Sequence, residues 1–121
     1  MTYRHVGVSE DSIDAVILES ARAHGLEAAG RYLHLIRTAV EAIGASPSRP
    51  GSNPVPRVPG VRSFHLRLAR SLVPRELRVK EPRHLVVYRV APDGVVEILG
   101  IVHDRMKLPG AVRRAQRAAD R

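Results

Sequence analysis

The sequence contains no cysteine. Disulfide staples, thiolate nucleophiles and cysteine-based zinc ribbons are therefore excluded. Aromatic residues are few: Tyr3, Tyr32, Phe64 and Tyr88. Modules that stack unpaired bases on a sheet need several exposed rings, so single-strand binding of the RRM or OB type is disfavoured. No run approaches the roughly 18 apolar residues of a membrane span. The opening MTYRHVGVSED has no apolar stretch of the kind a secretory leader uses, and a cytoplasmic protein is expected. The histidines (His5, His24, His34, His65, His84, His103) show neither H-x-x-x-H nor H-E-x-x-H spacing. A glycine-rich phosphate loop, a nucleophile elbow and a dinucleotide fingerprint are also missing. No metal and no cofactor is expected.

Charge is present, and it is one-sided. Residues 1–59 hold six arginines against six carboxylates, whereas residues 60–121 hold fourteen lysines or arginines against six carboxylates. The whole net charge of +8 thus belongs to the second half. Such placement favours an acidic or polyanionic partner for that half. At 121 residues the chain is expected to form a single domain, 1–121, around one modest core.

Along the chain, Tyr3 to Val8 reads as a short strand. Ser9 is placed to cap a helix whose first turn carries Glu10 and Asp11, where the helix dipole favours anions. Ile13, Val16, Ile17 and Ala21 follow at helical spacing up to Gly25. A second helix, from about Glu27 to Ile43, carries Ala29, Tyr32, Leu33, Ile36 and Val40 on one stripe. So short a break predicts an antiparallel helical hairpin. Residues 45–60 contain Pro47, Pro50, Pro54, Pro56 and Pro59, which exclude a helix and a central strand and predict a surface connection. Val61 to Leu68 alternates, with Phe64, Leu66 and Leu68 inward and His65 and Arg67 on the polar face. Residues 69–82 read as a basic excursion with a short strand near Leu77 to Val79. Pro109 to Arg121 predicts a basic helix with Val112 as its only sizeable apolar residue, marginal without a partner.

The richest segment is RHLVVYRVAPDGVVEILGIVHDRMKL, Arg83 to Leu108. Two β-branched runs flank Ala91-Pro92-Asp93-Gly94, where Pro92 presets φ and Gly94 can take the positive φ that closes a hairpin. Arg89 inside a strand needs a partner, and Glu97 across the hairpin is the one available. After Val102 the apolar run stops and His103, Asp104, Arg105 and Lys107 arrive together, which puts polar groups at the rim of the core. Arg83, Arg89, His103, Arg105 and Lys107 are therefore expected to form one cationic rim that grips a macromolecule. Arg113, Arg114 and Arg117 of the last helix offer a second surface.

The pattern R-H-x-x-x-Y-R-V, a short turn, V-E-I-L, then V-x-H-x-R-M resembles the RelE/ParE family of bacterial type II toxins, and most closely its ParE branch. The resemblance implies an α+β fold of order β-α-α-β-β-β-α, with the helical hairpin packed on a small, mostly antiparallel sheet. It implies growth arrest through binding of DNA gyrase, with neutralisation by a cognate antitoxin whose acidic, amphipathic C-terminal segment wraps the toxin. In the RelE branch, an mRNA-cleaving site uses several cations and a C-terminal tyrosine. Here His103, Arg105 and Arg89 are the only catalytic candidates. Leu85 stands where RelE toxins carry an arginine, and no tyrosine follows Tyr88. Binding is thus favoured over cutting. A RelE-like mRNA interferase and a non-toxic basic nucleic-acid adaptor are the alternatives.

Overall fold

The computed structural model describes residues 3–121. It is an α+β fold in three layers. Two antiparallel helices, α1 (Ser9–His24) and α2 (Leu26–Ala45), meet at Gly25 and cover one face of the sheet. The strands are β1 (Tyr3–His5), β2 (Asn53–Pro54), β3 (Val61–His65), β4 (His84–Val90) and β5 (Val96–His103). A last helix, α3 (Leu108–Ala119), lies on the opposite face. The sheet order is β1-β5-β4-β3-β2, antiparallel throughout except for β1, which runs parallel to β5.

The hairpin forms as its residues dictate. Gly94 takes φ 85°, and its N–H donates to the Ala91 carbonyl at 2.8 Å. Arg89 lies opposite Glu97 in the register, and its Nε donates to the carboxylate at 2.9 Å. Near Tyr88 the register slips by one residue. Alternation along the central strands then feeds two cores. Val86, Tyr88 and Ile98 face the helical hairpin, with Phe64, Leu35 and Ile36. Val87 and Leu99 face α3, with Val55, Val58 and Val61.

Several expectations are corrected. Ser9 caps nothing: it is the first helical residue, fully buried, with its Oγ bonded to His5 Nδ1 at 2.8 Å. The first strand stops at His5, because Gly7 turns the chain into α1. The strand from Val61 ends at His65, whose Nδ1 accepts from the Arg67 N–H and starts a 3-10 segment, Leu66–Leu72. Leu68 consequently points outward, and His65 is buried rather than presented. The stretch around Leu77 is a 3-10 turn, Arg75–Leu77, and no strand. The proline-rich connection is more than a surface link. Its Val55 and Val58 are buried, and Asn53–Pro54 forms the sheet's edge strand, where a proline without an N–H is tolerated. Finally, α3 is docked within the fold. Ala111, Val112 and Ala115 are buried, and the helix rests on small side chains that let it approach the sheet closely.

Candidate functional site

The ends of β4 and β5 decide which expected rim residues meet. His84 pairs with His103 at one end of the ladder, and Arg89 pairs with Glu97 towards the other. Arg83 and Arg89 are six residues apart in extended chain, which is about 20 Å. The single cationic rim is therefore corrected to two separate groups. Arg83, His103, Arg105 and Lys107 stand together at the His103 end, with Arg83 Nη2 3.4 Å from Asp104 Oδ1 and the last two exposed on the following turn.

Arg89 belongs to an ion network at the opposite end. It reaches Glu97 at 2.9 Å and Asp120 at 2.8 Å. Arg4 adds contacts to Glu97 at 2.8 Å and to Asp93 at 3.1 Å. Arg4 first, then Arg89, hold the Glu97 carboxyl below its usual range. With both partners engaged, Arg89 fastens the end of α3 to the sheet. Arg113, Arg114 and Arg117 all point outward from α3.

At the His103 end the geometry is denser than the sequence suggests. Tyr32 on α2 donates its hydroxyl proton to His84 Nδ1 at 2.5 Å and accepts the Arg83 N–H at 3.1 Å. The His84 ring then meets His103 edge-on, with centroids 5.1 Å apart. His65 Nε2 donates to Asp104 Oδ2 at 3.1 Å, while its Nδ1 accepts from Arg67. His103 Nδ1 accepts the Arg105 N–H at 3.1 Å. This set of hydrogen bonds fits three neutral imidazoles, each with the proton on Nε2. Asp104 Oδ1 is buried and lacks a hydrogen bond, although Arg83 Nη2 stands 3.4 Å and His103 Nδ1 3.5 Å away.

The electrostatics follow from this packing. Burial first, and the neighbouring His103 second, push His84 down to about 4. Burial also raises the Tyr32 hydroxyl. The hydrogen bond from His65, then the Arg83 charge, hold Asp104 below the usual carboxylate range.

These shifts carry a stability prediction. Folded His84 stays neutral down to about pH 4, whereas the unfolded chain protonates it near its ordinary 6.5. The unfolded state binds the extra proton in between, so the contribution is whole above pH 6.5 and is lost as pH falls to 4. His84 is only part-buried, so the full shift is discounted for solvent, leaving about 1–2 kcal/mol. Asp104 acts in the same direction at lower pH. Urea midpoints measured from pH 7 to pH 4.5 are expected to fall, and His84→Gln is expected to flatten that fall. An unchanged slope in the variant would assign the acid sensitivity elsewhere.

Above this cluster opens a cleft of about 1020 Å³ between the helical hairpin and the segment leading into β4. Val16, Ala23, Ala28 and Val79 give it apolar walls, Tyr32 and His84 line its floor, and Arg31, Lys80, Arg83, Glu19 and Glu81 stand at its lining. Sequence reading singled out neither Tyr32 nor His84 nor His65 as site residues. Each stands far along the chain from His103 except through the fold. Among the described residues no group of histidines and carboxylates is arranged to hold a metal ion, and no helix is long and apolar enough to cross a membrane. Residues 10–108 match the family model described as ParE toxin of type II toxin-antitoxin system, parDE. No curated protein matches the chain.

Proposed function

The chain belongs to the ParE toxin family of type II toxin–antitoxin systems, and from that membership we propose that it arrests growth in the cytoplasm by binding DNA gyrase, without covalent chemistry of its own. The observation that carries the binding reading is the state of its imidazoles. His65, His84 and His103 are each held as hydrogen-bond acceptors at Nδ1, and Arg83 is drawn toward Asp104. Among the described residues Nε2 of His84 and His103 has no protein partner and Arg105 and Lys107 are exposed, but no carboxylate is hydrogen-bonded at Nδ1 of His84 or His103 to orient the ring and make it an effective base. Arg89, the remaining catalytic candidate, is committed to Glu97 and Asp120 at the far end of the ladder.

The cleft supports the second half of the proposal. Its apolar walls with charges of both signs suit an amphipathic helix from the antitoxin, which would lay its apolar face against Val16, Ala23 and Val79. Arg83, His103, Arg105 and Lys107 would border that helix and contribute to the grip on antitoxin or target.

Induction of the chain, with gyrase supercoiling and mRNA integrity followed in parallel, tests the proposal. Loss of supercoiling with accumulated cleaved DNA complexes and intact messages is expected. Cleaved messages with normal supercoiling would replace it by the interferase reading. Absence of growth arrest would replace it by the adaptor reading.

A further inference from the structure

The strongest unassigned feature is the outer face of α3. Arg113, Arg114 and Arg117 are exposed, and among the described residues no carboxylate pairs with any of them. The one acid on this segment, Asp120, is held by Arg89 at 2.8 Å, so it does not neutralise the arginines. Arg113 Nη2 donates to the Arg57 carbonyl at 3.0 Å, which sets its direction and places the exposed Arg57 beside the ridge. The inner face, Ala111, Val112 and Ala115, is buried on the sheet, so the cations stand on a fixed support.

We propose that this ridge of α3 binds the phosphate backbone of duplex DNA, without regard to base sequence. Four things select that partner. Arginine is the side chain best matched to phosphate oxygens, and twelve of the fourteen cations in the second half are arginines. Base stacking is poorly served, because Tyr32, Phe64 and Tyr88 are buried in the core and Tyr3 is half-buried against it, so an unpaired strand would gain little here. The exposed face of α3 also has no large apolar residue, which argues against a folded peptide segment as its occupant. Nor does it carry hydroxyl or carboxamide side chains, Gln116 apart, of the kind that would seek the 2′-hydroxyls of an RNA duplex. This inference is independent of the cleft and adds a nucleic-acid contact to a protein-binding toxin.

The experiment is fluorescence anisotropy of a labelled DNA duplex of arbitrary sequence titrated with the full chain, from 50 to 200 mM salt, with no gyrase present. Three phosphate contacts predict a slope of log affinity on log salt of about −2.7, a loss of about 40-fold over that range. R113Q/R114Q/R117Q is expected to remove most of that slope and to weaken binding at least tenfold at 50 mM salt. A charge-matched control, R22Q/R37Q/R75Q, changes exposed arginines elsewhere and is expected to bind nearly as the parent does. Circular dichroism melting confirms that both variants fold. Failure to bind, equal weakening by the control, tighter binding of an RNA duplex, or binding of poly-glutamate in place of DNA would each overturn the proposal. None of these outcomes depends on whether gyrase is the target.

Discussion

Tyr88→Ala is expected to destabilise the protein by about 4–5 kcal/mol, a large part of the roughly 5–15 kcal/mol that keeps a typical domain folded. Tyr88 is fully buried in β4, with its ring in the core shared with the helical hairpin. Its hydroxyl donates to the Pro47 carbonyl at 2.5 Å and is hydrogen-bonded by Ser52 Oγ. Ser52 in turn accepts from Arg62 Nε at 2.8 Å, and Arg62 Nη2 donates to the Ser52 carbonyl at 3.0 Å. One tyrosine thus fastens the start of the proline-rich connection to the sheet. Tyr88→Phe separates the two contributions. It keeps the ring and leaves the Pro47 carbonyl and the Ser52 hydroxyl without their partner, at an expected cost of about 2 kcal/mol. Urea unfolding of both variants checks this. A neutral Tyr88→Phe would show that the hydroxyl chain adds nothing and that the connection is held by Val55 and Val58 alone.

That network marks where sequence reading stops. The helices and the hairpin were legible because their apolar residues recur at one period and are bounded by Gly25 and Gly94. The Arg89–Glu97 pair was legible because a tight turn fixes register. The buried valines of the connection follow no period, since Pro54, Pro56 and Pro59 set the backbone between them. The docking of α3 was hidden for a different reason. Alanine looks too small to anchor a helix, yet its smallness permits the close approach that buries Val112. The site divides in the same way. His103, Asp104 and Arg105 advertise themselves as a polar cluster after an apolar run. Tyr32, His65 and His84 join them only through pairings between distant segments. Arg83 and Arg89 look like neighbours in sequence, but an extended strand carries them to opposite ends.

Gly7→Val is expected to loosen α3 and to cost about 3–4 kcal/mol. Gly7 has φ 59°, a left-handed conformation that costs a side chain about 1–2 kcal/mol and a β-branched one more. Space adds a second obstacle. A Cβ on Gly7 would lie 2.8 Å from the backbone nitrogen of Ala119 and 2.9 Å from its Cα. Backbone cannot swing aside as a long side chain can, so the end of α3 must move, which adds about 1–3 kcal/mol. The Arg89–Asp120 contact sits one residue further on and would open with it, exposing the apolar face that Val87 and Leu99 share with Val112. Hydrogen exchange checks the location: amides of α3 are expected to lose protection before those of β4 and β5. The consequence reaches function, because the arginines of α3 act as a fixed ridge only while the helix is seated. Gly7→Val is therefore expected to weaken duplex DNA binding although every arginine is present, and Gly7→Ala to show a smaller loss of the same kind. Unchanged exchange in α3, with stability within about 0.5 kcal/mol of the parent, would mean that this contact is not what holds the helix down.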